Sequence, residues 1–282
     1  MARHPIHCPD WATALLNGFS QVLLQRNPLC GLCCLLAILV GAPQLLGGAL
    51  LGAASGLLTA QRRGYLREHR QAGLYSYNGV LIGLLFSQWL PLGLTLPLLI
   101  IAASGLSSLL LARWLRVCAR PSCLPAYTAP FVLAGWALAL GISPAPGSGQ
   151  AFDLSDVLTG LGQIFVLPSP LAGALIALGL HLADRRAARW ALLGSAAGLA
   201  FAWLQGEPAL PGLYGFNPAL AALAFSAQPL RAVLAIGLAL LLQPGFASLP
   251  LPGLTAPFIL ACWLVRAGAR ASLVEGTLHS RR

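Results

Sequence analysis

The chain has 282 residues, of which 57% are hydrophobic and 9% charged, with a mean hydropathy of +0.78. Soluble domains carry about 25% charged residues, so a soluble globular protein is excluded and a polytopic membrane protein is indicated. The formal net charge of +10 would elsewhere suggest nucleic acid, but every basic residue is an arginine set between apolar runs, and that placement speaks for a membrane topology with no nucleic-acid partner.

A spanning helix needs about 20 residues, fewer when its ends are wet, which leaves room for about ten short spans. The start, "MARHPIHCPDWATALL", places Pro5, Pro9 and Asp10 before any apolar run, and no small-residue cleavage pattern follows, so no signal peptide is read. "WATALLNGFSQVLLQRN" is apolar but punctuated by polar residues and stops at Pro28. Next comes "PLCGLCCLLAILV", where Cys30 and Cys33 have Cys-x-x-Cys spacing. On an apolar run that spacing reads as small packing residues, not as a redox or zinc site. A Gly-rich run, "GALLGAASG", reads as close helix packing. An arginine cluster (Arg62, Arg63, Arg67, Arg70) follows, then "GLYSYNGVL", then a further span that ends at Arg113, Arg116 and Arg120.

The first half closes on "YTAPFVLAGW", and a Ser/Pro/Gly-rich stretch leads to "DLSDVLTGLGQIFVLPS". After it come a span, the cluster Arg185, Arg186 and Arg189, another span, and "GLYGFNPAL". Arg231, "LTAPFILACW" and a tail with Arg266, Arg270, Arg281 and Arg282 complete the chain. Connections with arginine alternate with connections without it: "GAPQ", "QWLPLG", Ser143 to Asp156, "QGEPALPG" and "QPGFASLPLPG". By the positive-inside rule this predicts an even number of spans with both termini cytoplasmic. Arg26 alone breaks the alternation. It would be the only basic group near a central path, and a long stem lets it snorkel to the surface from a helix end.

The chain also repeats itself. "GFSQVLLQRNPLCG" aligns with "GLGQIFVLPSPLAG", "LLGAASG" with "LLGSAAG", "GLYSYN" with "GLYGFN", and "LPAYTAPFVL" with "LPGLTAPFIL". The offset falls from 142 residues at Pro28/Pro170 to 139 at Asn78/Asn217 and 127 at Thr128/Thr255. Two halves of five spans each must face opposite ways, which predicts inverted repeats over residues 1–142 and 157–282, joined by an external linker at 143–156. The fold class expected is therefore an all-α polytopic membrane protein with a re-entrant half-helix in each repeat. Four segments read as half-helices meeting near the bilayer centre. Those at Thr128 and Thr255 have a competent N-cap residue, with Pro130 and Pro257 in the first turn, where a missing N–H costs nothing.

The acids Asp10, Glu68, Asp153, Asp156, Asp184, Glu207 and Glu275 all fall in loops, tails or segment ends, as do the five histidines. Nothing in the spans relays a proton or balances an ion, so the expected transport is passive, of a neutral solute, with no metal and no cofactor. A dehydrated amide loses roughly 4–8 kcal/mol without replacement hydrogen bonds. Free carbonyls at half-helix ends, with Gln21, Gln25, Gln163, Thr128 and Thr255, supply partners. Each has a plain structural reading beside this one: Asn78 and Asn217 tie down helix ends, the threonines are caps, and Tyr77 and Phe216 are packing aromatics.

With these four duplicated motifs in this order, the chain resembles the urea transporter family across nearly its whole length. The resemblance implies a bacterial inner-membrane homotrimer in the lipid bilayer, each protomer having its own pore for urea. It places a ladder of acceptors and slot positions at Gln21, Val22, Leu24, Gln163, Ile164 and Val166, slot walls at Tyr77, Leu81, Phe216 and Leu220, and a central pair at Thr128 and Thr255. Leu24 and Tyr77 stand where the family has Phe. Another small neutral solute, such as short-chain amides, ammonia or water, is the alternative. An aquaporin is disfavoured because Asn217-Pro-Ala faces Asn78-Gly-Val in the other half, an ammonium channel because no paired His lies in a span, and an enzyme because no base accompanies a Ser or Cys at depth.

Overall fold

A computed structural model describes residues 10–118, 123–142, 153–206 and 212–279, with side chains of the last helix described to residue 271. The described residues are helical, with no strand among them. In chain order the helices are α1 (Asp10–Val22), α2 (Pro28–Gly41), α3 (Leu46–Arg62), α4 (Arg67–Gln71), α5 (Tyr77–Trp89), α6 (Thr95–Val117) and α7 (Ala129–Ala139). They continue with α8 (Asp156–Gln163), α9 (Pro170–Ala183), α10 (Arg185–Gln205), α11 (Phe216–Ala224), α12 (Pro229–Ala247) and α13 (Ala256–His279). Four stretches, Pro43–Arg62, Thr95–Val117, Arg185–Gln205 and Pro229–Ala247, are long and apolar enough to cross a membrane. Pro28–Gly41, Ala129–Ala139 and Pro170–Ala183 are apolar but shorter. The outward faces suit lipid: α6 alone exposes Leu98, Leu99, Ile101, Leu106 and Leu110.

Local signals explain where the helices start. Asn27 accepts hydrogen bonds from the N–H groups of Leu29 (2.9 Å) and Cys30 (3.1 Å), with Pro28 in the first turn of α2. Ser169 does the same for Ala172 (3.3 Å) ahead of α9, behind Pro170. Asp184 caps α10 through Arg186 N–H at 2.8 Å. These are side-chain acceptors meeting the orphan donors of a first turn.

Packing is made twice. α1 lies on α2 as α8 lies on α9; α3 crosses α5 as α10 crosses α11; α5 touches α6 and α7 as α11 touches α12 and α13; α2 against α9 joins the two sets. The closest of these contacts run through glycine. A Cβ on Gly52 would lie 2.0 Å from the Gly79 carbonyl oxygen, and one on Gly79 2.2 Å from that of Gly52. Gly48 and Gly83 repeat this one turn along, and Gly194 does so against Pro218. Small residues that let backbones touch are how helices associate where lipid is as apolar as leucine. Gly73 and Gly212 have φ of +76° and +71°. A Cβ there would strike the backbone of Asn17 (2.3 Å) and Gly160 (2.5 Å), so only glycine fits both turns.

The free cysteines Cys30, Cys33, Cys34 and Cys262 are buried, and Cys118 and Cys123 form a disulfide. One sequence expectation changes in extent. α7 is an 11-residue helix but α13 runs for 24 residues, because nothing after Trp263 breaks it: Gly268 sits among strong helix formers that carry the chain on through Arg266 and Arg270.

Candidate functional site

α1 and α8 end alike. Leu24 (φ +58°) and Val166 (φ +60°) are left-handed residues other than glycine. At the first end Leu24 N–H donates to Gln21 O (3.0 Å) and Gln25 N–H to Ser20 O (3.1 Å); at the second, Val166 N–H donates to Gln163 O (3.0 Å) and Leu167 N–H to Gly162 O (3.1 Å). That is a Schellman termination in both. Gly normally fills the left-handed position, so a leucine and a valine there carry strain of order 1–3 kcal/mol, a feature that concentrates at functional sites. The next carbonyls, of Val22 and Ile164, accept no hydrogen bond from the described residues. For Ile164 the reason is local, since the residue four along is Pro168, which has no N–H. Each end therefore carries a backbone acceptor that has no partner among the described residues.

The starts of α7 and α13 form the second constellation. Tyr127 (φ +44°) and Leu254 (φ +45°) again occupy equivalent strained positions, each just before a threonine. Thr128 and Thr255, 3% and 4% exposed, meet each other: their Oγ1 atoms lie 2.7 Å apart. One hydroxyl donates and the other keeps its own proton, so the pair offers a donor and lone pairs and can exchange roles. Thr128 does not cap α7 with its side chain. That task falls to the asparagines: Asn78 Oδ1 accepts Phe131 N–H (3.2 Å) and Asn217 Oδ1 accepts Phe258 N–H (3.3 Å). Two tryptophans lock the halves together. Trp136 Nε1 donates to Pro252 O and Trp263 Nε1 to Pro125 O, both at 2.8 Å, so each helix holds the turn that precedes the other.

A cavity of about 490 Å³ reaches Tyr127, the residue before Thr128, its wall including Gln21, Leu24, Tyr77, Trp114, Tyr127 and Arg266. The Cys118–Cys123 disulfide is part of the same wall. The Tyr77 hydroxyl donates to the Tyr127 carbonyl. Arg266 Nε donates to the Tyr127 hydroxyl at 3.0 Å, and its guanidinium lies 5.2 Å from the centre of the Phe225 ring, an attraction of cation and π-face. Arg26, in contrast, is exposed. An exposed Arg26 fits a side chain that snorkels to the surface. The charge at the cavity belongs to Arg266, which the sequence places in a tail cluster and which a turn of α13 carries back against Tyr127.

Of the positions named from sequence, Gln21, Leu24 and Tyr77 share this cavity. Val22, Ile164, Leu81 and Leu220 are packed at 1–2% exposure, Gln163 and Val166 are half-buried at the end of α8, and Phe216 is half-buried at the start of α11. Pro130 and Pro257 lie in the first turns of α7 and α13. Tyr127, Arg266 and the two tryptophans were missed. The tryptophans had a signal, for they sit at matching places in "YTAPFVLAGW" and "LTAPFILACW"; Arg266 had none.

Comparison with known proteins identifies the family. The sequence profile of the urea transporter family matches residues 12–270. Urea transporter 1 of Ovis aries is 30% identical over 257 residues, covering 76% of this chain and 62% of that protein, and Urea transporter 1 of Mus musculus is 31% identical with the same coverage. The chain thus spans about 62% of the length of the curated relatives it matches.

Proposed function

The chain belongs to the urea transporter family, and from that premise we propose that it conducts urea passively across the membrane, down the solute's own gradient. The observation that carries this reading is the Thr128–Thr255 hydroxyl pair, 2.7 Å apart, in a chain where two other helix ends leave carbonyls without a partner among the described residues. Urea needs acceptors for its N–H groups and a donor for its oxygen, and this arrangement offers both in a dry place. Short amides share those needs and are the second reading, favoured by Leu24, which leaves one slot wall without an aromatic ring.

The wider architecture we propose is a pair of inverted repeats, 1–142 and 157–282, with a linker at 143–156, about ten spans and both termini cytoplasmic. Support comes from packing made twice and from the strained pairs Leu24/Val166 and Tyr127/Leu254. Assembly as a homotrimer in a bacterial inner membrane extends the family resemblance. The orientation is testable: cysteines introduced at Arg63 and Arg186 are expected to react with an impermeant reagent only from the cytoplasmic side, and ones at Leu92 and Leu249 only from outside. The opposite pattern for one half alone would refute the inversion.

Conduction is expected to need no ion. Asp10, Glu68, Asp153, Asp156 and Asp184 lie at helix ends or in connections, Glu275 falls near the C-terminal end of α13, and the four stretches long and apolar enough to cross a membrane contain no Asp or Glu to carry a coupled charge. Urea influx into proteoliposomes of the purified protein should be unchanged by a protonophore and by replacing sodium with potassium. Influx that collapses under either condition removes the passive mechanism.

A further inference from the structure

The cavity that reaches Tyr127 has one formal charge among the described residues of its wall. The lining is otherwise neutral, for the most part leucine and aromatic side chains with Gln21 and the Cys118–Cys123 disulfide, and the exception is Arg266, half-buried on α13. A guanidinium keeps its proton at any working pH, so this charge is permanent. It is also held in place: Nε donates to the Tyr127 hydroxyl at 3.0 Å, and the guanidinium carbon lies 5.2 Å from the centre of the Phe225 ring. No described carboxylate offsets it. Among the described residues the one ion pair joins Arg67 to Asp10. One turn along α13, Arg270 adds a charge of the same sign and donates to the carbonyl of Cys123, another wall residue, at 3.0 Å. An arginine without a carboxylate partner, facing a cavity of a membrane protein, calls for a function.

Hydrogen bonding alone leaves such a cavity open to the wrong solutes. Oxygens that accept from the N–H groups of urea accept from those of a cation more strongly, because a charge-assisted bond is roughly twice as strong as a neutral one. Guanidinium is the sharpest case, being planar, of urea's size and trigonal shape, and a donor on all three arms. Desolvation keeps an ion from crossing a dry centre, but not from standing in the wider cavity ahead of it and blocking the way. Charge is what separates the two molecules, and a cavity with one sign of charge in low-dielectric walls sorts ions by its field without touching them. Resting on the reading of the chain as a urea conduit, we propose that Arg266 is a specificity-determining residue, its fixed positive charge keeping small planar cations out of the cavity ahead of Thr128. Urea has no net charge for the field to act on. Nitrate, with the same trigonal shape and the opposite sign, is drawn in where guanidinium is repelled.

The test is urea uptake by proteoliposomes of the whole protein with guanidinium or nitrate present on both faces, comparing the parent with Arg266→Gln and Arg266→Lys. In Arg266→Gln the guanidinium concentration that halves urea uptake is expected to fall about fivefold and the nitrate concentration to rise about fivefold, the scale of one unit charge acting across a partly wet cavity. Arg266→Lys keeps the charge and should keep the parent's values within about twofold on the same ground. The parent alone supplies a measurement that depends on no variant folding. Raising the ionic strength with potassium gluconate from about 0.1 M to about 1 M shortens the screening length from about 10 Å to about 3 Å, and the two half-inhibiting concentrations should converge. Opposite shifts for the two ions report charge, since a merely distorted cavity moves both the same way. Shifts of one sign, or unchanged values in Arg266→Gln, overturn the inference while leaving conduction standing. A parent chain that takes up no urea overturns the conduction reading, and this inference with it.

Discussion

Replacing Gly79 with leucine is expected to abolish folded protein: in detergent the variant should elute as aggregate, while Gly47→Leu on the neighbouring helix elutes like the parent. The difference lies in what a side chain meets. At Gly79 a Cβ would stand 2.2 Å from the Gly52 carbonyl oxygen and 2.7 Å from its carbon, whereas nothing lies within 4 Å of the position a Cβ would take on Gly47. An ordinary overpacked core costs about 1–3 kcal/mol because flexible side chains give way. Here the obstacle is backbone, and relieving it means parting α3 from α5. That parting also breaks the contact at Gly48 and Gly83 and moves the N-terminus of α5, where Tyr77 and Asn78 hold the site. A loss beyond about 4–5 kcal/mol, the range of exceptional single changes, exceeds what a bundle without hydrophobic drive between its helices can absorb. A monodisperse Gly79→Leu protein would show that the crossing is loose.

Thr128→Val and Thr255→Val should each slow urea by about five- to tenfold, the equivalent of roughly 1–1.4 kcal/mol, with folded yield unchanged. Valine keeps the shape and removes the hydroxyl, and the threonines do not cap their helices by side chain in the first half, where the acceptor for the Phe131 N–H is Asn78. Helix stability is therefore not at stake, and the effect reads on the path. Because the two hydroxyls are bonded to each other at 2.7 Å, each single change also strips the partner of its companion. The double variant should accordingly lose less than the product of the two single factors, the mark of residues that act as a unit. Initial rates of urea uptake in the four proteins measure this directly. Parental rates in both single variants would remove the pair from the path and return the search to the free carbonyls of Val22 and Ile164.

Membrane class, the repeat and the family resemblance were legible in the sequence because each rests on local or periodic information. Runs of leucine and alanine report the solvent. "GLYSYN" and "GLYGFN", or "TAPF" twice, report a duplication wherever their residues end up. The prolines after Asn27 and Ser169 mark where two segments stop; that the next helices start there, capped by those two side chains, is what the structure adds, and the signal was local, since a cap reaches only two or three residues along the chain. The tertiary structure decided who bonds to whom at the centre. From the sequence a threonine ahead of "APF" is a competent cap; in the fold its hydroxyl meets the threonine 127 residues away, and an asparagine 53 residues away takes over the N–H. Tyr77 and Phe216 look interchangeable as aromatics until one hydroxyl bonds to the Tyr127 carbonyl. Arg266, in a basic tail by position, is brought to Tyr127 across 139 residues. No pattern of spacing along the chain encodes such contacts. They exist because two packed sets of helices bring together turns far apart in the chain, such as those at Tyr127 and Leu254, where each buried donor must take the nearest acceptor left free.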